Sequence, residues 1–428
     1  MKRLAALLAA CLVLAGCAAA PRSDAGAASQ PASAPAQSSA QSTQSTQSTG
    51  AAPARPAASG TLRIISGPGG PGSAAAAENG FYTLETGEDG RCTLLFLDYA
   101  SNQQTRLCAA PGCAHDSEAC TACVDISGGI TPSLLCDGER LYLVFGSSSD
   151  GSEPARVEVM EPDGSGRRVL ARFSSGQEPD PDLYAADGSF LYFLLSETGA
   201  DGQSKRSLCA LDKTNGALYP LMDAPEDTGF WLVGAYDRSL LVKTIDSRNI
   251  HHLNRLDADA PAGLEELASW RLSQQYGVVD GDCLYLYDYD KQCFTRQSFS
   301  DGQTRELPNP EGLPFESLYS VRTIGGKAFL TADLAEGGVA RNSNFCLDFT
   351  SGQIRELGLL DNMGHPVTVC GTSGDRVYVI DRYATRQVQE SFGGMVSTVE
   401  RVTPHYAWLS AEDFLAGTAN YNACQPAF

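Results

Sequence analysis

Asp187-Gly188-Ser189-Phe190-Leu191-Tyr192-Phe193-Leu194 joins a turn dipeptide to an unbroken run of large apolar side chains. Asp-Gly supplies the backbone freedom a tight turn needs, and a short apolar, aromatic run behind it reads as a buried strand. The phrase recurs in both directions. Asn79-Gly80 leads into Phe81-Tyr82-Thr83-Leu84, and Asp137-Gly138 leads into Leu141-Tyr142-Leu143-Val144-Phe145. Asp237-Arg238 precedes Leu240-Leu241-Val242, and Asp280-Gly281 precedes Cys283-Leu284-Tyr285-Leu286-Tyr287. Gly325-Gly326 precedes Ala328-Phe329-Leu330, and Gly374-Asp375 precedes Val377-Tyr378-Val379-Ile380. Successive starts lie 58, 50, 50, 43, 45 and 49 residues apart, a mean of about 49.

A second phrase fills most intervals: a strand, a polar turn and a short return strand. Leu211-Asp212-Lys213-Thr214-Asn215-Gly216-Ala217-Leu218 and Leu347-Asp348-Phe349-Thr350-Ser351-Gly352-Gln353-Ile354 are two copies. Ser300 to Thr304 and Asp98 to Gln103 fit the same pattern. Two hairpins per fifty residues make one four-stranded blade. Seven starts with that period predict an all-β, seven-bladed β-propeller over residues 61–428. Thr61 to Ser66 reads as a strand that closes the ring by joining the last blade. Ser410-Ala411-Glu412-Asp413 reads as a capping box that starts a short helix. Glu161-Pro162-Asp163-Gly164-Ser165-Gly166-Arg167-Arg168-Val169-Leu170 resembles the TolB-like and WD40-like propeller repeats, which turn on a similar Asp-Gly-Ser-Gly.

The first seventeen residues carry Lys2 and Arg3, an uncharged apolar run from Leu4 to Leu14, and then Leu14-Ala15-Gly16-Cys17. The run is too short to span a bilayer, which takes roughly 20 apolar residues. It resembles a bacterial lipoprotein signal peptide, which implies cleavage before Cys17 and a diacylglycerol thioether on that cysteine. Residues 17–60 are almost wholly Ala, Ser, Gln, Thr, Pro and Gly, a composition that predicts a disordered linker. Such a tether has an r.m.s. span of about 35–40 Å. The expected location is the extracytoplasmic face of a cell membrane, held by lipid.

The chain carries a formal net charge of −20, and −22 without Lys2 and Arg3. That excess argues against nucleic acid and against an anionic membrane surface as partners. Of fourteen cysteines, Cys11 falls in the signal and Cys17 carries the anchor. Cys92, Cys209, Cys283, Cys346 and Cys370 stand singly in apolar runs and are expected as buried thiols.

The densest constellation is Cys108-Ala109-Ala110-Pro111-Gly112-Cys113-Ala114-His115-Asp116-Ser117-Glu118-Ala119-Cys120-Thr121-Ala122-Cys123. It falls in the longest repeat interval, so it is read as an inserted loop. Cys108, Cys113, His115 and Cys120 offer a Cys₃His set for a structural Zn²⁺, and Cys123 could replace any one of the sulfurs. One or two disulfides pinning the loop suit the same cysteines, because export permits oxidation. The string also resembles a segment of uncharacterised Gram-positive β-propeller lipoproteins that reads Leu-Cys-x-x-Pro-x-Cys-x-His. Leu107, Cys108, Pro111, Cys113 and His115 match it. The Cys-x-Ala that follows is met by Cys120 and Ala122 one residue early. Thr403-Pro404-His405-Tyr406-Ala407-Trp408-Leu409-Ser410 is similar to their closing phrase. The resemblance implies no activity.

Catalytic motifs are not found. Gly67-Pro68-Gly69-Gly70-Pro71-Gly72-Ser73 lacks the P-loop lysine, and His251-His252 reads as a chance exposed pair. The expected function is therefore a monomeric, non-catalytic binding module for a cell-surface protein or glycan. Two alternatives stand beside it. One is an extracellular lyase or hydrolase acting on carbohydrate. The other is a metal-binding lipoprotein built on the Cys108 to Cys123 loop.

Overall fold

A computed structural model describes residues 55–66, 73–87, 91–115, 117, 119–126, 131–148, 150–181, 183–199, 201–226, 228–392 and 395–426. The expected signal peptide, Cys17 and residues 18–54 lie outside them.

The described chain folds as a seven-bladed β-propeller, and each blade is one small antiparallel sheet. It begins with a short strand, β1 (Arg63–Ile64). Blade 1 holds β2 (Ala74–Ala76), β3 (Gly80–Thr86), β4 (Arg91–Asp98), β5 (Gln103–Arg106) and β6 (Cys123–Asp125). Blade 2 holds β7 (Ser133–Cys136), β8 (Leu141–Phe145), β9 (Arg156–Met160) and β10 (Arg168–Arg172). Blade 3 holds β11 (Gln177–Pro179), β12 (Ala185–Ala186), β13 (Phe190–Thr198), β14 (Ser204–Asp212) and β15 (Leu218–Asp223). Blade 4 is β16 (Gly229–Tyr236), β17 (Ser239–Ile245), β18 (Ile250–Asp257) and β19 (Glu265–Arg271). Blade 5 is β20 (Gln275–Asp280), β21 (Cys283–Asp288), β22 (Cys293–Ser298) and β23 (Thr304–Pro308). Blade 6 is β24 (Phe315–Ile324), β25 (Lys327–Glu336), β26 (Val339–Asp348) and β27 (Gln353–Glu356). Blade 7 is β28 (Thr368–Ser373), β29 (Arg376–Phe392), β30 (Met395–Ser410), the helix α1 (Ala411–Ala416) and β31 (Asn422–Ala423).

All seven repeated turn dipeptides sit at the start of, or just before, the second main strand of a blade: β3, β8, β13, β17, β21, β25 and β29. The run just behind each turn is mostly apolar because both faces of the blade are packed there. In β13, Leu191, Phe193 and Leu195 join the core between blades 2 and 3, while Phe190, Tyr192 and Leu194 join the core between blades 3 and 4. Successive strand residues point to opposite faces, so a doubly buried strand needs no polar alternation. Each pair of neighbouring blades shares its own cluster of buried side chains, from the first pair round to blades 7 and 1.

One expectation is corrected. The strand near Thr61 to Ser66 does not join the last blade: β1 pairs antiparallel with β12 of blade 3, Arg63 opposite Ala186 and Ile64 opposite Ala185. The last blade has no vacancy, because β31 follows α1 and supplies its fourth strand. In blade 3 the free edge of β12 carries only alanines, which let a further strand approach. Leu62 and Ile65, both buried, anchor it from either side, Ile65 in the core between blades 2 and 3 and Leu62 between blades 3 and 4. The contacts reach back to Arg55, whose guanidinium lies 5.0 Å from the Phe190 ring centre.

Among the described residues the ring is closed by a short parallel bridge between Gln425 of the last blade's tail and Gln103 of blade 1. The Gln104 amide donates to the Gln425 carbonyl, and the Gln425 amide to the Asn102 carbonyl, both at 2.8 Å. Tyr99 of blade 1 stacks on Tyr378 of blade 7 with ring centres 4.0 Å apart.

Candidate metal centre and central channel

The outer strand of blade 1 is interrupted. β5 pairs with one half of β4 and β6 with the other, and the cysteine-rich loop leaves between them. Both ends of the loop are fastened to one residue. The Leu107 amide donates to the Leu94 carbonyl at 2.9 Å, and the Leu94 amide donates to the Ala122 carbonyl at 2.7 Å. Thr121 Oγ1 accepts from the Ala109 amide at 3.2 Å and donates to the Leu107 carbonyl at 3.5 Å. The neck of the loop is thereby set.

Within it, the ligand atoms of Cys108, Cys113, His115 and Cys120 all lie within 4.8 Å of one another. Two reverse turns bring them together: the Cys113 amide donates to the Ala110 carbonyl, and the Cys120 amide to the Ser117 carbonyl. His115 takes a left-handed backbone, φ 59°, which a residue with a side chain rarely adopts. Its Nδ1 lies 3.2 Å from Cys120 Sγ, and its amide donates to Cys113 Sγ at 3.4 Å. Burial alone would raise the Cys108 thiol, but hydrogen bonds at the Ala110 backbone and with Cys120, Thr121 and Cys113 outweigh it and bring it down to about 6. Burial pushes the Cys120 thiol up to about 11. These donors could hold a metal ion.

Cys123 stands apart from the group. It lies in β6, opposite Thr93, where the sheet register and not the loop sets its position. Cys92, Cys209, Cys283, Cys346 and Cys370 are buried, as expected of small apolar side chains. The histidine pair is corrected: His251 and His252 are consecutive residues of β18, with His251 buried beside Trp270 and His252 Nδ1 2.8 Å from Glu266 Oε2.

The inner strands of blades 4 to 7, with residues 62–64 and 66 and side chains from the second and third strands of blades 4 and 6 such as Lys243, Thr331 and Asn342, line a cavity of about 1030 Å³. Aromatic rings stand at one end of these strands. Trp231 folds back over Gly229, where any Cβ would meet the indole at 2.1 Å, and Lys243 Nζ lies 5.3 Å from its ring centre. Tyr319 is 57% exposed, yet its hydroxyl is tied to Asp333, whose other oxygen accepts from Asn342 Nδ2 at 3.2 Å. Further along β20 and β24, Asp280 accepts from the Thr323 hydroxyl at 3.2 Å. Burial raises its carboxyl, and the same burial lowers the neighbouring Arg322 guanidinium. The sequence reading missed these residues. A signal was present: Trp231, Tyr276 and Tyr319 each lie four to six residues before a repeated turn at Asp237, Asp280 or Gly325.

No family model matches the chain, and no curated protein matches it. Solved structures do resemble it. The chain is 12% identical to acylaminoacyl peptidase from Pyrococcus horikoshii, covering 79% of this chain and 52% of that one with a TM-score of 0.43, so it spans about half that protein's length. It is 10% identical to the β-propeller domain of the Trilobed protease from Pyrococcus furiosus, covering 85% and 98%, with a TM-score of 0.43. It is 10% identical to TolB from Acinetobacter baumannii, covering 78% and 77%, with a TM-score of 0.36.

Proposed function

We propose that this chain is a lipoprotein, held by Cys17 on the extracytoplasmic face of a membrane, whose propeller binds a cell-surface glycan in its central channel without cleaving it. The observation that carries the binding reading is the lining of the cavity. Trp231, Tyr276 and Tyr319 offer ring faces and Asn342 offers an exposed amide, while Thr331 and Asn344 line the wall and bond one another at 2.9 Å. Concave sites with apolar ring faces and a few placed polar groups orient ligands well. Among the described lining residues Asp280 is the single carboxylate, and burial disfavours its charged form. Glycoside cleavage usually takes two carboxylates flanking the bond.

The test is a screen of the purified full chain, in detergent, against cell-surface glycans and cell-wall fragments. Binding that weakens at least tenfold in Tyr319→Ala and Asn342→Ala supports the reading. No binding, or full affinity in both variants, overturns it. Release of shortened sugar chains would replace it with the enzyme alternative. For the anchor, Cys17→Ala should move the chain from the membrane to the soluble fraction, and retention at the membrane overturns that part.

A further inference from the structure

We propose that Cys108, Cys113, His115 and Cys120 hold one structural Zn²⁺, which fastens the interrupted outer strand of blade 1. This rests on the loop alone and stands whatever the channel binds.

The donor set selects the ion. Three sulfurs and one imidazole nitrogen form a borderline-soft set that suits Zn²⁺ and not Ca²⁺ or Mg²⁺. Tetrahedral zinc with Zn–S near 2.3 Å puts ligand sulfurs about 3.8 Å apart. The four donor atoms already fall within 4.8 Å of one another, so a small contraction completes the shell. Four protein ligands leave no position for water, which makes the site structural.

Disulfides serve this geometry less well. Three thiols converge, so any one bridge strands the third and leaves His115 without a role. His115 is also the residue in the left-handed conformation. Such a backbone is strained for a residue with a side chain and persists where the surroundings impose it. Here it turns the imidazole onto Cys120 Sγ.

The loop needs the ion. From Leu107 to Ala122, Leu107, Cys120 and Ala122 are the buried side chains among those described. So little apolar burial cannot offset the entropy of ordering a loop of this length. A bound metal supplies that free energy directly. The ordered loop serves the junction with blade 2. Arg167 Nη1 donates to the Cys123 carbonyl at 2.8 Å, and a Cβ at Gly164 would lie 2.6 Å from the Leu107 carbonyl oxygen.

The experiment is metal analysis of the full chain purified without chelator, with Co²⁺ replacement read by the visible bands of tetrahedral cobalt thiolate. One zinc per chain is expected. Cys113→Ser and His115→Ala should lose it, whereas Cys123→Ser should keep it. Circular dichroism identifies any variant that fails to fold, and limited proteolysis of the parent chain gives a second reading. Chelator should open the loop to cleavage while the far-ultraviolet spectrum stays propeller-like. Zinc-free protein whose mass shows bridged thiols overturns the proposal. So does loss of zinc in Cys123→Ser with retention in Cys113→Ser, which would show a different ligand set.

Discussion

Lys213 Nζ of blade 3 lies 2.5 Å from Asp137 Oδ2 of blade 2, and both side chains are buried. The aspartate is the first residue of a repeated turn dipeptide. Its Oδ1 accepts from the amides of Glu139 and Arg140, and Oδ2 also accepts from the Tyr142 hydroxyl at 2.8 Å. The next blade repeats the device. Asp187 accepts from the amides of Ser189 and Phe190 and from the Tyr192 hydroxyl, and Arg238 of blade 4 lies 3.0 Å from its Oδ2. The turn aspartate thus latches blade 2 to blade 3 and blade 3 to blade 4.

Lys213→Met should destabilise the propeller by about 3–5 kcal/mol, because it leaves a buried carboxylate without its cation. Arg238→Ala should cost less. Its side chain is 28% exposed, so water can reach the carboxylate it abandons. Denaturant titrations of the two variants rank the effects, and equal losses would contradict the difference in burial.

Acid should weaken the same latch. Burial alone would raise the Asp137 carboxyl, but the Lys213 ammonium and the Arg140 and Glu139 amides hold it below the usual range. Burial would likewise raise Glu158, and Arg167 and Arg156, at 2.7 and 2.8 Å, hold it down. A carboxyl with a depressed folded pKa stabilises fully above its unfolded value, about 4, and loses that contribution as pH falls through the folded value. Thermal midpoints should be flat above about pH 5 and fall below about pH 4. Lys213→Met, which has already lost the pairing, should show a shallower acid slope.

The turn dipeptides were legible because each must satisfy a local backbone demand, and both faces of the strand behind it are buried by blade stacking. Position along the ring was less so. β1 is two residues long, and its place beside Ala185 and Ala186 depends on small side chains more than a hundred residues away. The Cys/His loop was visible as composition. That Cys123 stands aside follows from its pairing with Thr93, a register that spacing alone does not reveal. The channel residues are contributed by separate blades and meet only once the ring is closed.

Ring closure depends on Gly371. A Cβ there would lie 2.2 Å from the Tyr99 hydroxyl, and Tyr99 is the ring that stacks on Tyr378. The Tyr378 hydroxyl donates to the Tyr99 carbonyl at 2.9 Å, so the stack cannot shift freely. Gly371→Ala should cost about 1–3 kcal/mol through overpacking. The Tyr99 hydroxyl is buried with no hydrogen-bond partner among the described residues. Tyr99→Phe should therefore be close to neutral alone and should restore much of the loss in the double variant. A double-mutant cycle by chemical denaturation reads this coupling. Simple additivity would count against the contact.

The C-terminal helix is held by its ends. Six residues are too few to be helical alone, so α1 depends on its caps and on Phe414 and Leu415, which enter the core between blades 6 and 7. Ser410 Oγ accepts from the Asp413 amide at 3.0 Å, the expected cap. At the other end Gly417 takes φ 71°, and a Cβ there would lie 2.2 Å from the Leu357 carbonyl oxygen. Ser410→Ala should cost about 1 kcal/mol. Gly417→Ala should cost more, because it adds backbone strain and a steric clash. Beyond the helix, β31 leads to Gln425, whose backbone bonds tie blade 7 to blade 1. Hydrogen exchange at the Gln104 and Gln425 amides should therefore quicken in Gly417→Ala before amides of blades 3 and 4 respond. Uniform acceleration round the ring would mean that the propeller opens as a single unit and not first at this seam.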